Sequence, residues 1–498
     1  MRNTILSIAI LLGIFCLGVG VICVIGGVVL TSSAPTSISR DVPQVSGTVQ
    51  SSTLPPTATF TPVASVTPGT PEVKIPGDGT PTATIPENGT PGTPTSTPKP
   101  VPPEIASQMD LIQQQVSQIR GLQPIAPVQR ALLSTSELRE KVTTDFFGEY
   151  TAEEARDDVR ELAAMGLLEP GFDLYKLYID LYSEQIAGYY DPKTKEMYVV
   201  QADGFKGAER MTYAHEYTHT LQDQTYDMRG KMNYNDDYCE THTEYCAAIS
   251  ALIEGDAMLS EYTWFYTYAT QQDQQEVLNS ASGYQSPVFD SAPAYLKQDF
   301  LFPYVQGQTF AQTHFTEGGF SAIDAVYRNP PVSTEQILHP EKYPDDKPVE
   351  VTIPDLLPTL GQGWRLVEQN VLGEWYTYLV LADGWKDQAR QPSEKASQAA
   401  AGWGGDAYVL YWNDTSDQGA FVLRSQWETD QDTNEFWQLL QSYGASRWGN
   451  ASSSQTNRLD WDDTPDGAVT LLRNNQTTLW VSGPRRNLVN QVVQLINP

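Results

Sequence analysis

The stretch from residue 31 to residue 104 is dominated by Thr, Pro, Ser, Gly and Val, with runs such as Thr93-Pro94-Thr95-Ser96-Thr97-Pro98. It lacks the apolar periodicity that a chain needs to bury a core, so we expect a disordered stalk over residues 31–104. The folded body must therefore be built from the residues that follow, 105–498.

An uncharged apolar segment, Ile5 to Leu30, precedes this stretch. The core of a secretory signal is usually about 7–15 residues long, whereas a spanning helix needs about 20. Residues 1–30 are therefore predicted to be a retained transmembrane signal-anchor, and Pro35 disfavours cleavage after Ala34. Arg2 precedes the segment and no basic residue follows before Arg40, which predicts a single-pass cell-membrane protein with its N-terminus in the cytoplasm and its body outside.

The chain is strongly acidic, with 61 acidic and 31 basic residues and a net charge of −30. Such a surface repels phosphate backbones, so no nucleic-acid partner is expected. The composition does not indicate an oligomeric state.

Two cysteines of the body, Cys239 and Cys246, are seven residues apart. An extracytoplasmic location would permit a disulfide between them. A helix running through both would hold their Cβ atoms too far apart for that bond, so a disulfide and two free thiols both remain open.

The pattern of the body predicts an α+β fold class in two regions. Residues 105–345 are expected to form a mainly helical domain with a small sheet, and residues 346–498 an α+β accessory domain with a tryptophan-rich core. In the first region we expect helices at Glu104–Arg120, from Thr151 onward, at Lys206–Thr225 and at Thr241–Tyr268, and a β-hairpin at Ile186–Val200. In the second we expect helices at Leu372–Ala382, Pro392–Ala401, Asp432–Tyr443 and Arg485–Ile496, and paired strands at Ala407–Trp412, Ala420–Gln426, Ala468–Arg473 and Thr478–Ser482.

One motif in the helical region carries chemistry, the H-E-x-x-H sequence from His215 to His219. On a helix the two histidines stand one turn apart on the same side, so both imidazoles can bind one Zn²⁺ ion at about 2.0–2.1 Å. Glu216 is rotated by about 100° from His215 and would lie beside a water molecule bound to the metal, where it can act as general base.

A third metal ligand is expected downstream, at Glu254 in the sequence Glu254-Gly255-Asp256-Ala257. Glu254 follows a mostly apolar run, and a carboxylate buried there is costly unless it meets a cation. Gly255 is expected to let this second helix pack closely against the histidine helix.

The H-E-x-x-H and E-G-x-A motifs together resemble those of the gluzincin metallopeptidases, which include the thermolysin-like and the alanyl-aminopeptidase/leukotriene-hydrolase families. The resemblance covers roughly residues 180–345 and implies a zincin-type core in which the hairpin is the edge strand that receives the substrate backbone. The segment Phe302-Pro303-Tyr304-Val305-Gln306-Gly307 is similar to the P-Y-x-K-G segment of the aminopeptidases. This implies that Tyr304 stabilises the oxyanion, and the implication covers Tyr304 only, because Gln306 replaces the lysine of that family. We expect Pro303 to end any helix that precedes it.

The chain also departs from these families. The aminopeptidase motif G-x-M-E-N, whose glutamate binds the substrate amine, is absent from the hairpin region, which reads Ala187-Gly188-Tyr189-Tyr190-Asp191. An endopeptidase is therefore favoured over an aminopeptidase. Two further residues keep alternative interpretations: His339 is a second oxyanion donor or a residue that completes a helix cap, and Asp223 orients a ligand imidazole or faces solvent.

The sequence thus predicts a membrane-anchored zinc metallopeptidase that acts on peptide or protein substrates outside the cytoplasm. The alternative is an inactive metal-binding pseudopeptidase that serves as a tethered binding module. The presence of Glu216 favours the enzyme, because a structural zinc site has no use for a general base.

Overall fold

The computed structural model describes residues 101–496, except residues 142, 145, 146, 149 and 201–203. The predicted signal-anchor, residues 1–30, and the predicted stalk up to residue 100 lie outside this part of the chain. Among the residues that are described, no helix is long and apolar enough to cross a membrane.

The first region is mainly helical and contains one small sheet. Its elements are α1 Pro103–Arg120, β1 Gln129–Leu133, α2 Thr135–Lys141, α3 Ala152–Met165, α4 Leu174–Gln185, β2 Gly188–Asp191, β3 Glu196–Val200, α5 Gly207–Tyr226, α6 Asp236–Cys239, α7 Thr243–Tyr268, α8 Gln271–Gly283, α9 Pro287–Ser291, α10 Ala294–Gly318, α11 Phe320–Arg328 and α12 Thr334–Leu338. Strands β2 and β3 form the predicted antiparallel hairpin, and β1 pairs in parallel with β3, so that β2 lies at an edge of the sheet.

The second region is built around a seven-stranded antiparallel sheet in the order β4-β5-β6-β10-β9-β8-β7. Its elements are α13 Leu357–Leu360, β4 Trp364–Asn370, α14 Gly373–Ala382, a short 3-10 turn Asp387–Ala389, α15 Ser393–Ala400, β5 Trp403–Asn413, β6 Gln418–Trp427, α16 Asp430–Trp448, β7 Ser453–Gln455, β8 Arg458–Thr464, β9 Gly467–Asn474, β10 Thr477–Gly483 and α17 Arg486–Ile496. The predicted α+β class is confirmed.

The central strands of this larger sheet are buried on both faces, and neighbouring residues of each strand point to opposite sides. On β5, Tyr408 and Leu410 face the hydrophobic cluster that extends into the helical region. Val409 and Tyr411 face a second cluster, which the apolar side of α17 covers. Trp403, Trp427 and Trp437 are buried, so core packing is confirmed for these three tryptophans, whereas Trp412 and Trp448 are partly exposed.

The helical region and the sheet share one hydrophobic cluster, whose members run from Ala131 to Trp480. Polar contacts cross the same junction. The hydroxyl of Tyr408 donates to Glu161 on α3 at 2.6 Å, and the Arg447 guanidinium donates to the backbone carbonyl of Met165 at the end of α3 at 2.9 Å. A cation placed at the C-terminal carbonyls of a helix stabilises it, so α16 completes a helix of the other region.

Three features differ from the sequence-based expectations. Helix α10 continues through Pro303, because its packing along α7 outweighs the loss of one helical hydrogen bond. The capping box of α16 is formed by Thr429 and Asp432, so this helix begins before the predicted position. Strand β1 was not expected, and it makes the small sheet three-stranded instead of a lone hairpin.

The structure contains a disulfide between Cys239 and Cys246, whose Cα atoms are 5.7 Å apart. The geometric objection to it assumed one continuous helix. Cys239 instead ends the short helix α6, and Cys246 lies in the first turn of α7 after a break in the chain direction, so the two side chains can meet.

A buried carboxyl group at the junction of the two regions makes the stability of the fold depend on pH. Glu244 on α7 accepts hydrogen bonds from the backbone N–H and the hydroxyl of Thr334. Burial raises its pKa to about 8, and the neighbouring carboxylates of Asp406 and Glu374 act in the same direction. The folded chain therefore binds this proton more tightly than the unfolded chain, and the resulting stability is lost as pH rises through about 8.

We expect Glu244→Gln to remove this loss, because the glutamine carbonyl still accepts from Thr334 and carries no charge at any pH. The free energy of unfolding of the variant relative to wild type should rise between pH 5 and pH 9 by about 4 kcal/mol, most of it below pH 8. Urea denaturation at both pH values measures it. Glu394→Gln, at an exposed position, is the control and should show no pH-dependent difference; a difference for Glu244→Gln that is equal at both pH values would contradict the assignment.

Candidate metal centre

Two adjacent helices bring the three predicted metal ligands together. Helix α5 carries His215 and His219, and α7 carries Glu254. The Glu254 Oε2 atom is 3.1 Å from His215 Nε2 and 3.6 Å from His219 Nε2. One ligand atom from each residue lies within 4.8 Å of the other two, and all three residues are buried.

His215 is held from behind by Glu261, which lies on α7 about two turns after Glu254. The Glu261 carboxylate accepts from His215 Nδ1 at 3.0 Å, and burial raises the pKa of Glu261 while this hydrogen bond opposes the change. Since Nδ1 carries the proton, the lone pair of Nε2 faces Glu254. The sequence analysis missed Glu261, although its spacing of seven residues from Glu254 places both on the same face of the helix.

His219 is held in the same way by Gln222. The amide group of Gln222 donates from Nε2 to the carbonyl of Ile253 at 3.0 Å and to Asp256 at 2.8 Å. Its Oε1 atom therefore faces His219 and accepts from Nδ1 at 2.8 Å. Among the described residues, the buried Nε2 atom of His219 has no hydrogen-bond partner, as expected of a nitrogen that is placed to bind a metal.

The electrostatics of the three residues favour a positive charge between them. Burial alone would raise the pKa of Glu254, but the charge of His219 and the close approach of both imidazoles lower it. Burial lowers the pKa of His219, and the charge of Glu254 more than reverses that effect. Two imidazole nitrogens and one carboxylate oxygen fit a divalent cation such as zinc.

A second acidic group is not a comparable site. Glu335, Asp346 and Glu428 also lie close enough to hold an ion. The ammonium group of Lys342 already lies among them, at 2.7 Å from Glu335 and 2.8 Å from Glu428. We interpret this group as a set of ion pairs around a lysine.

Glu216, the predicted general base, is fully buried on α5 next to His215. The hairpin lies directly against it: a Cβ atom at Gly188 on β2 would be 3.3 Å from the Glu216 Cγ atom and 2.9 Å from Thr212 Cγ2. Glycine at position 188 therefore allows the edge strand to lie close to the carboxylate.

Asp223 neither orients a ligand imidazole nor faces solvent; it connects α5 to the hairpin. It accepts a hydrogen bond from Tyr190 of β2 at 2.7 Å and forms an ion pair with Lys195 at 2.5 Å. The hairpin turn makes a further ion pair, between Lys193 and Asp236 of α6 at 2.8 Å. Helix α6, which ends at the disulfide residue Cys239, is thus joined to the turn of the hairpin.

The environment of Gly255 differs from the prediction. A Cβ atom at Gly255 would overlap the backbone carbonyl of Gly307, so this glycine permits contact with α10 and not with the histidine helix. Tyr304 lies one turn before Gly307 on α10 and is buried in the main hydrophobic cluster. The close crossing of α7 and α10 therefore holds Tyr304 on a helix that contacts the residue after Glu254.

His339 makes its contacts in another part of the protein. It follows α12 as the C-terminal capping residue, and its Nε2 atom is 2.9 Å from Glu374 of α14. The hydrogen bond to Glu374 raises the pKa of His339. None of its described contacts is with His215, His219 or Glu254, and its position agrees with the predicted cap.

We expect Glu254→Ala to abolish stoichiometric zinc binding, because it removes the only carboxylate among the three predicted ligands. Glu261→Gln should still bind zinc, but about 10- to 100-fold more weakly, because it loosens His215 without removing a ligand. Elemental analysis and competition with a chelator measure both effects.

The matched control is Glu428→Gln, which alters the acidic group around Lys342 and should leave zinc content at the wild-type value. Stoichiometric zinc in the Glu254→Ala protein would show that another residue is the third ligand.

Comparison with known families adds information about the second region. Residues 364–493 are similar to a domain of unknown function, DUF8575. The matched segment begins with β4 and ends within α17, so it coincides with the seven-stranded sheet and its helices and does not include the candidate metal centre. No curated protein and no solved structure matches the chain.

Proposed function

We propose that the chain is a membrane-anchored, extracytoplasmic zinc metallopeptidase that hydrolyses internal peptide bonds of peptide or protein substrates. The observation that carries this proposal is the arrangement around Glu254. Two histidines that each donate from Nδ1 direct their Nε2 atoms to one buried carboxylate. Glu216 follows the first of these histidines on the same helix.

Zinc is the proposed metal, because two nitrogens and one carboxylate oxygen are a common set in catalytic zinc sites. When bound there, zinc would supply Lewis-acid chemistry and lower the pKa of a water molecule to about 7. The Glu216 carboxylate accepts the proton of the attacking water and delivers it to the leaving amine. A structural site would normally have four protein ligands and no adjacent base.

The unpaired edge of a sheet beside Glu216 supports a peptide as the substrate. Strand β2 is paired only with β3 within the described part of the small sheet, so its other edge carries backbone N–H and C=O groups that belong to no strand pair. An extended peptide can bind to such an edge as an additional strand. Since the chain lacks the amine-binding glutamate motif of the aminopeptidases, the proposal is for internal bonds.

The proposed location depends on residues 1–104, most of which lie outside the described part. The disulfide of the body agrees with an oxidising compartment outside the cytoplasm. In this proposal the stalk holds the metal centre away from the membrane surface.

We expect Glu216→Gln to retain stoichiometric zinc and to lose peptidase activity by about 10²–10⁴-fold, the contribution typical of a general base. The purified full-length protein is incubated with an unfolded protein and a broad peptide library, and cleavage is followed by mass spectrometry. Asp237→Asn, on helix α6, is the control and should remain active. If wild type binds zinc and is as inert as Glu216→Gln, the pseudopeptidase interpretation replaces the enzyme.

Tyr304 is the proposed oxyanion donor, and His339 is the competing candidate. A phenol is suitable because it stays protonated at neutral pH. We expect Tyr304→Phe to retain zinc and nearly unchanged KM, while kcat falls by about 10²–10³-fold, because the interaction forms only in the transition state. Steady-state kinetics of Tyr304→Phe and His339→Ala decide between them: unchanged kcat for the first and a large loss for the second would assign the role to the histidine.

A further inference from the structure

Arg120 is a buried cation far from the metal ligands in sequence. It is the last residue of α1, the first helix after the predicted stalk, and its side chain is fully buried. Helix α1 packs on α5 and α7 through apolar residues such as Met109 and Val116. This packing places the guanidinium group of Arg120 next to α7, on which the predicted ligand Glu254 lies.

The guanidinium group of Arg120 has two arms with different partners. Its Nε atom donates to Asp256 Oδ1 at 2.7 Å, and both of these side chains are completely buried. Its Nη1 atom donates to Asp324 on α11 at 2.7 Å, and Asp324 is partly exposed. The first arm leads to the metal centre, because Asp256 also accepts a hydrogen bond from Gln222, which contacts His219.

From Asp256 a continuous set of hydrogen bonds leads to a metal ligand. The second oxygen of Asp256, Oδ2, accepts from Gln222 at 2.8 Å and from the hydroxyl of Tyr327 at 3.1 Å. Gln222 in turn accepts from His219 Nδ1 at 2.8 Å. Arg120 is therefore three hydrogen bonds from His219.

The direction of these hydrogen bonds is fixed by chemistry. A guanidinium group can only donate, and the carboxylate paired with it accepts. The NH₂ end of the Gln222 amide must then face Asp256 and the Ile253 carbonyl, and its oxygen must face His219. His219 consequently carries its proton on Nδ1 and turns the lone pair of Nε2 toward Glu254. Without Arg120, a buried carboxylate would lose its cation and would be free to turn or take other partners.

We propose that Arg120 is a positioning residue of the metal centre, which acts through Asp256 and Gln222 to fix the ring of His219. Helix α1 is then a part of the centre and not only a support that follows the stalk. The inference rests on the proposed zinc site. It adds that Arg120, which lies outside the two helices that carry the ligands, raises the affinity of the site for the metal.

The test measures the zinc affinity of the full-length protein by chelator competition, together with the melting temperature of the zinc-free form. Gln222→Leu should weaken zinc binding by about 10- to 100-fold, and Arg120→Met, one step further away, by about tenfold. Arg120→Lys should restore most of the affinity, because it keeps a cation beside Asp256. Asp324→Asn is the matched control: it removes the negative charge from the other arm of Arg120 and should leave zinc affinity within about twofold of wild type.

If Arg120 only stabilised the fold, the measurements would give different results. Zinc affinity of Arg120→Met within twofold of wild type, or an equal loss in Asp324→Asn, overturns the proposal. If Arg120→Met does not fold, Asp256→Asn is measured with the same expected and overturning values. Zinc binding by a wild type that cleaves no peptide would refute the peptidase and leave this inference intact, whereas wild type that binds no zinc would overturn both.

Discussion

Glu254 is a carboxylate buried in the middle of a long, mostly apolar helix, and such a group needs a positive partner. Helix α5 turns two imidazoles toward it from adjacent turns, and the three side chains lie close enough together to hold one cation. Other polar groups on and around the two helices hold these three side chains in place. Glu261 and Gln222 hold the far sides of the imidazoles, and Arg120 neutralises the next carboxylate along α7.

The sequence predicted the parts of the centre that follow from local periodicity. The spacing of His215 and His219 places them on one side of a helix, and the apolar run before Glu254 indicates a second helix that buries a carboxylate. The hairpin beside Glu216 was predicted as well, since Asp191 and Pro192 mark its turn. These signals act over a few residues and require no knowledge of the tertiary structure.

The missed features depend on contacts between residues that are distant in sequence. Arg120 and Asp256 are 136 residues apart, and no local pattern connects them. Pro303 was expected to end a helix because a local rule cannot include the packing of α10 on α7. The sequence did not decide between a disulfide and two free thiols. The bond depends on a break in the chain direction between α6 and α7, and helical spacing alone does not predict that break.

The crossing at Gly255 and Gly307 also limits how the protein can move. The backbones of α7 and α10 are in contact there, and no side chain lies between them that could rearrange to let the helices slide. Glu254 and Tyr304 are therefore carried by a single rigid body. The hairpin is joined to α5 and α6 by polar contacts of Asp223 and Asp236. Its residues Tyr190, Met197 and Val199 also share a hydrophobic cluster with α5, so the strand beside Glu216 is held to the histidine helix by apolar packing as well as by ion pairs.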